Sequence, residues 1–282
     1  MGRLAGVLAL ALTTYQADIE HWRRTREAAL KADDGWLTVA GLFWLKEGAN
    51  PFGSDPSGEI VLPGAAPAHA GVFEFHGGRV TVRPEAGVRI TSNSRPVKSM
   101  VMASDDPGPP DQIALNDLTM FVIKRGDRYA IRLRDKHSAL RRDFTGLHWY
   151  PVKESWRITA KFVPHPQPKT LAIPDIVGIT EEMTSPGVAV FMIHGREFQL
   201  EPVTSENQLF FIFKDRTSGR GTYPAGRFLY ADLPKNGQVI LDFNKAYTPP
   251  CAFTPYATCP LPPKQNHLSI AIDAGELDYG KH

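Results

Sequence analysis

The chain reads as a mainly β protein: an N-terminal helix, an antiparallel β-sandwich and then a C-terminal antiparallel β-barrel. Three observations predict this. Glycine and proline each occur 24 times in 282 residues, a level that punctuates short strands and breaks long helices. From residue 36 onward, short apolar runs alternate with turn residues, which is the rhythm of sandwiches and barrels. One segment, near the N-terminus, carries a clear helical period. With 42% hydrophobic and 22% charged residues, the chain has apolar material for two cores and is not disordered in bulk. The net charge of +2 is close to balance and both signs are interspersed, which argues against nucleic acid as a partner.

Residues 1–17, "MGRLAGVLALALTTYQA", have an early arginine, an apolar run from Leu4 to Leu12 and small or polar residues after it. This fits a secretory signal, while the run is too short to span a membrane. Two locations stay open: exported, in a periplasm or outside the cell, or cytoplasmic with the segment packed on the domain. Residues 18–35 predict the helix, with Ile19, Trp22, Ala29 and Leu30 near one face and Gly35 as its stop.

Residues 36–135 carry the runs "GEIVL", "VFEF", "RVTV", "MFVIK" and "YAIRLR" between turns such as GG, SNS and DDPGPP, which predicts the sandwich. The stretch from "FGSDPSGEIVL" to "ITSNSRPV" resembles the strand and loop order of a forkhead-associated domain, including its His-Ala pair at His69 and Ala70. That resemblance implies the sandwich architecture. Gly53-Ser54 and Pro67 stand where such domains place glycine-arginine and serine, so phosphopeptide reading is not carried over with it. His69 and His76 read as surface or turn residues. A protein partner docking on this sandwich is one of three functional classes the residues leave open.

Residues 136–153 lose strand periodicity and read as a connector. Residues 154–282 resume with "SWRITAKFV", "GVAVFMI", "REFQLEPV", "QLFFIFK", "RFLYADL" and "QVILDF", enough short strands to close a barrel. In "IHGREF" His194-Gly195 reads as a two-residue hairpin turn. If the strands around 208–242 form an antiparallel meander, the loop 215–226 and the loop opened by Asp242 share one end. A tight turn near Lys235 and Asn236 would then set Arg227 opposite Asn244 and Leu229 opposite Asp242, making Arg227 and Asp242 diagonal neighbours. Such a charged pair at the mouth of an apolar barrel fits a ligand pocket and fits equally a brace for loop backbone groups.

The blocks "DRTSGRGTYPAGRFLY", "LDFNKAYTPPCAF" and "CPLPPKQNHLSIAIDAGE" resemble the signature segments of the bacterial and archaeal proteins called domain of unknown function sixteen eighty-four. "GWLTVAGLFWLKEGANPFGS" resembles the N-terminal part of longer bacterial members. The resemblance implies a shared site built from Asp215, Thr217, Tyr223, Arg227, Asp242, Asn244, Tyr247, Cys251, Cys259, Asn266 and Glu276, and it implies no activity.

No G-x-S-x-G is present, and Ser218 has no specified histidine partner. Cys251, Cys259 and His267 lack the paired spacing of zinc sites, so neither a metal nor a cofactor is expected. The favoured reading is a binder of a small polar or anionic ligand. Acid–base chemistry is the enzymatic alternative, with Asp242 as base, Arg227 as clamp, and Tyr223 or Tyr247 as hydrogen-bond donor, so the catalytic candidates are Asp242, Arg227 and Tyr247. Cys251 and Cys259 would pair in an oxidising compartment, the short loop contributing about 2.5 kcal/mol. Otherwise they are small apolar thiols.

Overall fold

The computed structural model describes residues 2–63 and 66–280, with side chains from Thr14 onward. Its two compact units are Lys31–Phe144, and Met1–Leu30 together with Thr145–His282. The structure is mainly β, with an N-terminal helix followed by antiparallel sheets.

The Lys31–Phe144 unit is the sandwich. Its strands are β1 (Val39–Trp44), β2 (Gly48–Gly53), β3 (Ile60–Val61), β4 (Gly71–His76), β5 (Arg79–Pro84), β6 (Thr91–Ser92), β7 (Arg95–Pro96), β8 (Met100–Met102), β9 (Gln112–Leu115), β10 (Leu118–Arg125) and β11 (Arg128–Asp135). They form one sheet in the order β1-β11-β10-β9-β6-β7 and another in the order β3-β2-β4-β5-β8. Pairing is antiparallel except between β2 and the short β3. Alternate residues such as Phe73, Val80, Val82, Ile113, Met120, Val122, Ile131 and Leu133 fill the core between the sheets, as a two-residue side-chain period requires.

The other unit opens with α1 (Gly2–Lys31). The helix starts earlier and ends sooner than the 18–35 segment expected from periodicity. It groups with the C-terminal strands, a grouping that helical periodicity does not encode. Among its described side chains Ile19, Arg23 and Leu30 are buried, spaced as one helical face. The signal reading of residues 1–17 rests on residue 1 and on the side chains of 2–13, which lie outside the described ones.

The strands of this unit are β12 (Arg157–Pro174), β13 (Thr180–Ile193), β14 (Arg196–Leu200), β15 (Val203–Ser205), β16 (Gln208–Phe213), β17 (Arg227–Asp232) and β18 (Gln238–Asp242). One sheet runs β14-β13-β12-β18 and a second runs β15-β16-β17. Both wrap a single core that includes Phe191, Phe211, Phe213, Leu229, Val239, Leu241 and Phe243. This is the barrel, opened along the seam between β17 and β18.

The open seam corrects the expected hairpin register. Among the described strands, β17 pairs with β16 and β18 with β12, and no ladder joins β17 to β18. The turn between them joins Lys235 to Gln238, an odd residue opposite an even one. Partners in a ladder share a face, yet the residues facing the core are odd in both strands: Leu229 and Ala231, Val239 and Leu241. The turn's pairing cannot continue without turning one apolar row into solvent. The strands therefore part, and among the described residues backbone pairing across the seam resumes at the Phe228–Tyr247 bridge.

Candidate functional site

Where the seam opens, a cleft of about 570 Å³ forms, walled by Tyr230, Asp232, Lys235, Ile240, Asp242, Lys245 and Tyr247, with Arg157 from β12 and Trp22 from α1. Tyr230 and Tyr247 lie nearly parallel, 14° between planes and 6.3 Å between centroids. The Arg26 guanidinium sits 4.3 Å from the Tyr247 ring centroid. Burial, with the neighbouring Tyr230 adding to it, pushes the Tyr247 phenol well above its ordinary range, so it remains a hydrogen-bond donor.

Asp242 ends β18 and is oriented by donors on one oxygen. Its Oδ1 accepts from the Tyr15 hydroxyl at 2.8 Å, the Asn244 backbone N–H at 3.2 Å and Asn244 Nδ2 at 3.3 Å. Oδ2 takes no hydrogen bond among the described residues, and Asp242 lines the cleft. Asn244 is fixed in turn: its Nδ2 donates to the Lys153 carbonyl at 2.8 Å and to Tyr15 Oη at 3.0 Å, and its Oδ1 accepts from the Lys153 N–H at 3.0 Å. Burial first, then the charge of Asp242 and the hydrogen bond to it, raises the Tyr15 phenol well above its usual range. Tyr15 therefore holds its proton toward the carboxylate.

Arg157 is the ladder partner of Asp242. Among the described residues, Arg157, Lys235 and Lys245 form no ion pair, and all three line the cleft. Two carboxylates, Asp232 and Asp242, three cations without ion pairs among the described residues and an aromatic wall thus converge on one opening.

The structure corrects the expected Arg227–Asp242 pair. Arg227 is fully buried on the core side and its partner is Asp215, with Nη2 to Oδ2 at 2.6 Å and neither side chain exposed. Arg227 also donates to the carbonyls of Ile272, at 3.0 Å, and of Ala274. Asp215 Oδ1 accepts from the Thr217 N–H at 2.8 Å and the Thr217 hydroxyl at 2.7 Å, an arrangement that opens a turn. The Thr217 hydroxyl lies 2.8 Å from that of Thr222. Gly226 closes the loop at φ +115°, where an added Cβ would lie 2.6 Å from the Phe213 carbonyl oxygen, so a side chain there meets both strain and backbone.

The remaining signature residues sit apart from the cleft. Asn266 bonds the Glu201 N–H and carbonyl, at 2.8 and 2.9 Å, and the Ile212 carbonyl at 2.9 Å. Glu276 is fully buried and paired with Arg26. Burial pushes its carboxyl up and Arg26 opposes this. Tyr223 hydrogen-bonds the Cys251 thiol. Cys251 and Cys259 are free, neighbouring thiols in the structure.

Of the site residues named from sequence, Asp242 and Tyr247 line the cleft and the others do not. Sequence reasoning missed Tyr15, Trp22, Arg157, Tyr230, Lys235 and Lys245. It also missed His165 and Glu201, paired at 2.8 Å with both side chains nearly buried. Among the described residues, no helix is long and apolar enough to cross a membrane.

Residues 142–277 match the family described as protein of unknown function, DUF1684. None of the curated proteins matches the chain. The solution NMR structure of an uncharacterized protein from Haloarcula marismortui is similar over 50% of this chain and 81% of that one, at 29% identity and a TM-score of 0.42. The FhaA forkhead-associated domain, solved with the intracellular domain of Rv3910, is similar over 33% of this chain and 97% of its own, at 19% identity and a TM-score of 0.23. A second structure, titled for phosphothreonine-dependent forkhead-associated domain interactions, is similar over 33% of this chain and 92% of its own, with the same identity and TM-score.

Proposed function

We propose that this chain, whose residues 142–277 are a DUF1684 domain, binds a small polar or anionic ligand in the cleft between β17 and β18. The observation that carries the reading is the set of unpaired cations, Arg157, Lys235 and Lys245, around one opening beside a carboxylate with a free oxygen. Like charges gathered without partners repel one another, and an anion relieves that repulsion. The exposed part of the Tyr230 side chain offers aromatic surface to the planar or apolar part of the ligand. The Oδ2 of Asp242 accepts from a hydroxyl or amine of the same molecule. The test is native protein purified from its own cells beside an Arg157→Ala/Lys245→Ala variant, with bound small molecules released and identified by mass spectrometry. The native protein carries an anionic species that the variant lacks; equal content in the two sinks the reading.

A second reading makes Asp242 a general base, and the free Oδ2 is what favours it, because a carboxylate fixed through one oxygen presents the other in a defined direction. Arg227 has no part in this version, being held by Asp215 in the core, and Arg157 takes the clamping role. Asp242→Asn then retains the co-purifying molecule and loses its conversion. Conversion at an unchanged rate removes Asp242 as the base.

A further inference from the structure

The two cysteines of the chain lie outside the cleft, and the ligand reading does not use them. Cys251 follows Pro249 and Pro250 and is the middle residue of a single 3₁₀ turn, Pro250–Ala252. Cys259 precedes Pro260, whose neighbour Leu261 donates to the Pro174 carbonyl at 2.7 Å. Both ends of the connecting loop are therefore anchored. The Cys251 backbone N–H donates to Cys259 Sγ at 3.2 Å, and the two thiols are themselves hydrogen-bonded. Cys259 Sγ, bonded to both the backbone and the thiol of Cys251, is the neighbour of the Cys251 sulfur, and rotation about the two Cα–Cβ bonds is the movement that joins them. Cys251 is partly exposed and Cys259 is buried, 4% accessible.

From this geometry we infer that Cys251 and Cys259 form a peroxide-responsive dithiol, Cys251 being the sulfur that is oxidised and Cys259 the one that resolves it.

The asymmetry of exposure assigns the roles, since only Cys251 is open to a soluble oxidant, while Cys259 waits behind it. Hydrogen bonds favour the same assignment. Those from Cys259, the larger effect, and from Tyr223 outweigh burial and hold the Cys251 thiol below its ordinary range, which raises its thiolate fraction. In the first step the Cys251 thiolate attacks one oxygen of a hydroperoxide, the O–O bond breaks, and sulfenic acid and water or an alcohol result. In the second, the Cys259 thiol attacks the Cys251 sulfur, the S–O bond breaks, and water leaves as the disulfide forms. Two electrons pass from the thiol pair to the peroxide, and an external thiol reductant returns them.

The experiment uses the full chain, reduced and freed of reductant, then exposed to hydrogen peroxide. Expected are a loss of about 2 Da in intact mass and of both titratable thiols, reversed by dithiothreitol without denaturant. Cys259→Ser halts at a sulfenic acid on residue 251 that a dimedone probe captures. Cys251→Ser, whose remaining thiol is buried, reacts at least about tenfold more slowly. Three results overturn the inference: equal rates for Cys251→Ser and the native chain; oxidation running on to sulfinic acid with no disulfide; or a bond present from purification that dithiothreitol reduces only after unfolding, which marks a structural cross-link. Circular dichroism on both variants confirms that each rate is read on folded protein.

Discussion

Asp215→Leu and Arg227→Met, singly and together, interrogate a buried ion pair of the C-terminal unit. Both side chains are fully inaccessible and meet at 2.6 Å. Losing Asp215 leaves the guanidinium with two carbonyls and the Thr217 hydroxyl and no counter-charge, and losing Arg227 leaves Asp215 Oδ2 without its donor and the carbonyls of Ile272 and Ala274 without theirs. Each single change should cost about 3–5 kcal/mol, the usual penalty for stranding one partner of a buried ion pair. The double replacement will not be neutral, because Asp215 Oδ1 also holds the Thr217 N–H and hydroxyl, a loss of roughly 2 kcal/mol for the turn. The double should still fall at least about 2 kcal/mol short of the sum of the singles. Urea unfolding gives the cycle, and hydrogen exchange localises it: amide protection in β16 and β17 should drop about a hundredfold or more for each single variant. A parallel cycle with Asp242→Asn and Arg227→Met should be additive within about 0.5 kcal/mol. Strong coupling of Arg227 to Asp242 with none to Asp215 would refute both the register argument and the inward placement of Arg227.

Other outcomes follow from the same geometry. Tyr15→Phe removes the hydroxyl that donates to Asp242 and accepts from Asn244 and should cost about 1 kcal/mol in thermal unfolding while lowering the content of the co-purifying molecule; unchanged content would show that α1 does not shape the cleft. Burial raises the Glu201 carboxyl, but hydrogen bonds from His165 and Gln265 and the charge of Lys169 outweigh it and hold the group below the usual glutamate range. A depressed carboxylate contributes stability that is complete above its unfolded value, about 4.3, and fades as pH falls through the folded one. Glu201→Gln should therefore flatten stability against pH in urea titrations from pH 6 down to about pH 3, and coincident slopes would discount the cluster. Gly226→Ala should destabilise by about 1–3 kcal/mol, because φ there is +115° and the new Cβ meets the Phe213 carbonyl; a change under about 0.5 kcal/mol in unfolding free energy would mean that the loop adapts freely.

The two β cores were legible because alternation of apolar residues survives any error in pairing: Val80 and Val82, or Leu229 and Ala231, face inward whatever lies beside them. The site was less legible because it depends on which strands part. The clue stood in "RFLYADLPKNGQVILDF". A tight turn there aligns odd residues with even ones, while Leu229, Ala231, Val239 and Leu241 ask odd residues of both strands to share the core. That conflict favours an open seam over a continuous hairpin. The partner of Arg227 was similarly within reach, since the β16–β17 ladder sets Arg227 opposite Phe213 and Asp215 follows two residues on. Tyr15 and Arg26 were not within reach. Their partners, Asp242 and Glu276, lie more than two hundred residues away, and nothing local in a helix names a distant carboxylate.

This division of labour bears on how the family's signature should be probed. Asp215, Asn244 and Asn266 spend their hydrogen bonds on backbone groups or on buried side chains, and Glu276 spends its charge on Arg26. They satisfy loop amides and carbonyls that no strand ladder reaches, which a barrel with long irregular connections requires. Replacing them should unfold the loops around the seam before it reveals anything about a ligand, and loss of function in such variants would be a stability effect. Arg157 and Lys245 are different: no described side chain pairs with either, both line the cleft, and their removal relieves repulsion in the empty protein. Loss of an anionic ligand with unchanged or higher thermal stability is therefore the signature that separates a binding residue of this cleft from a brace of its walls.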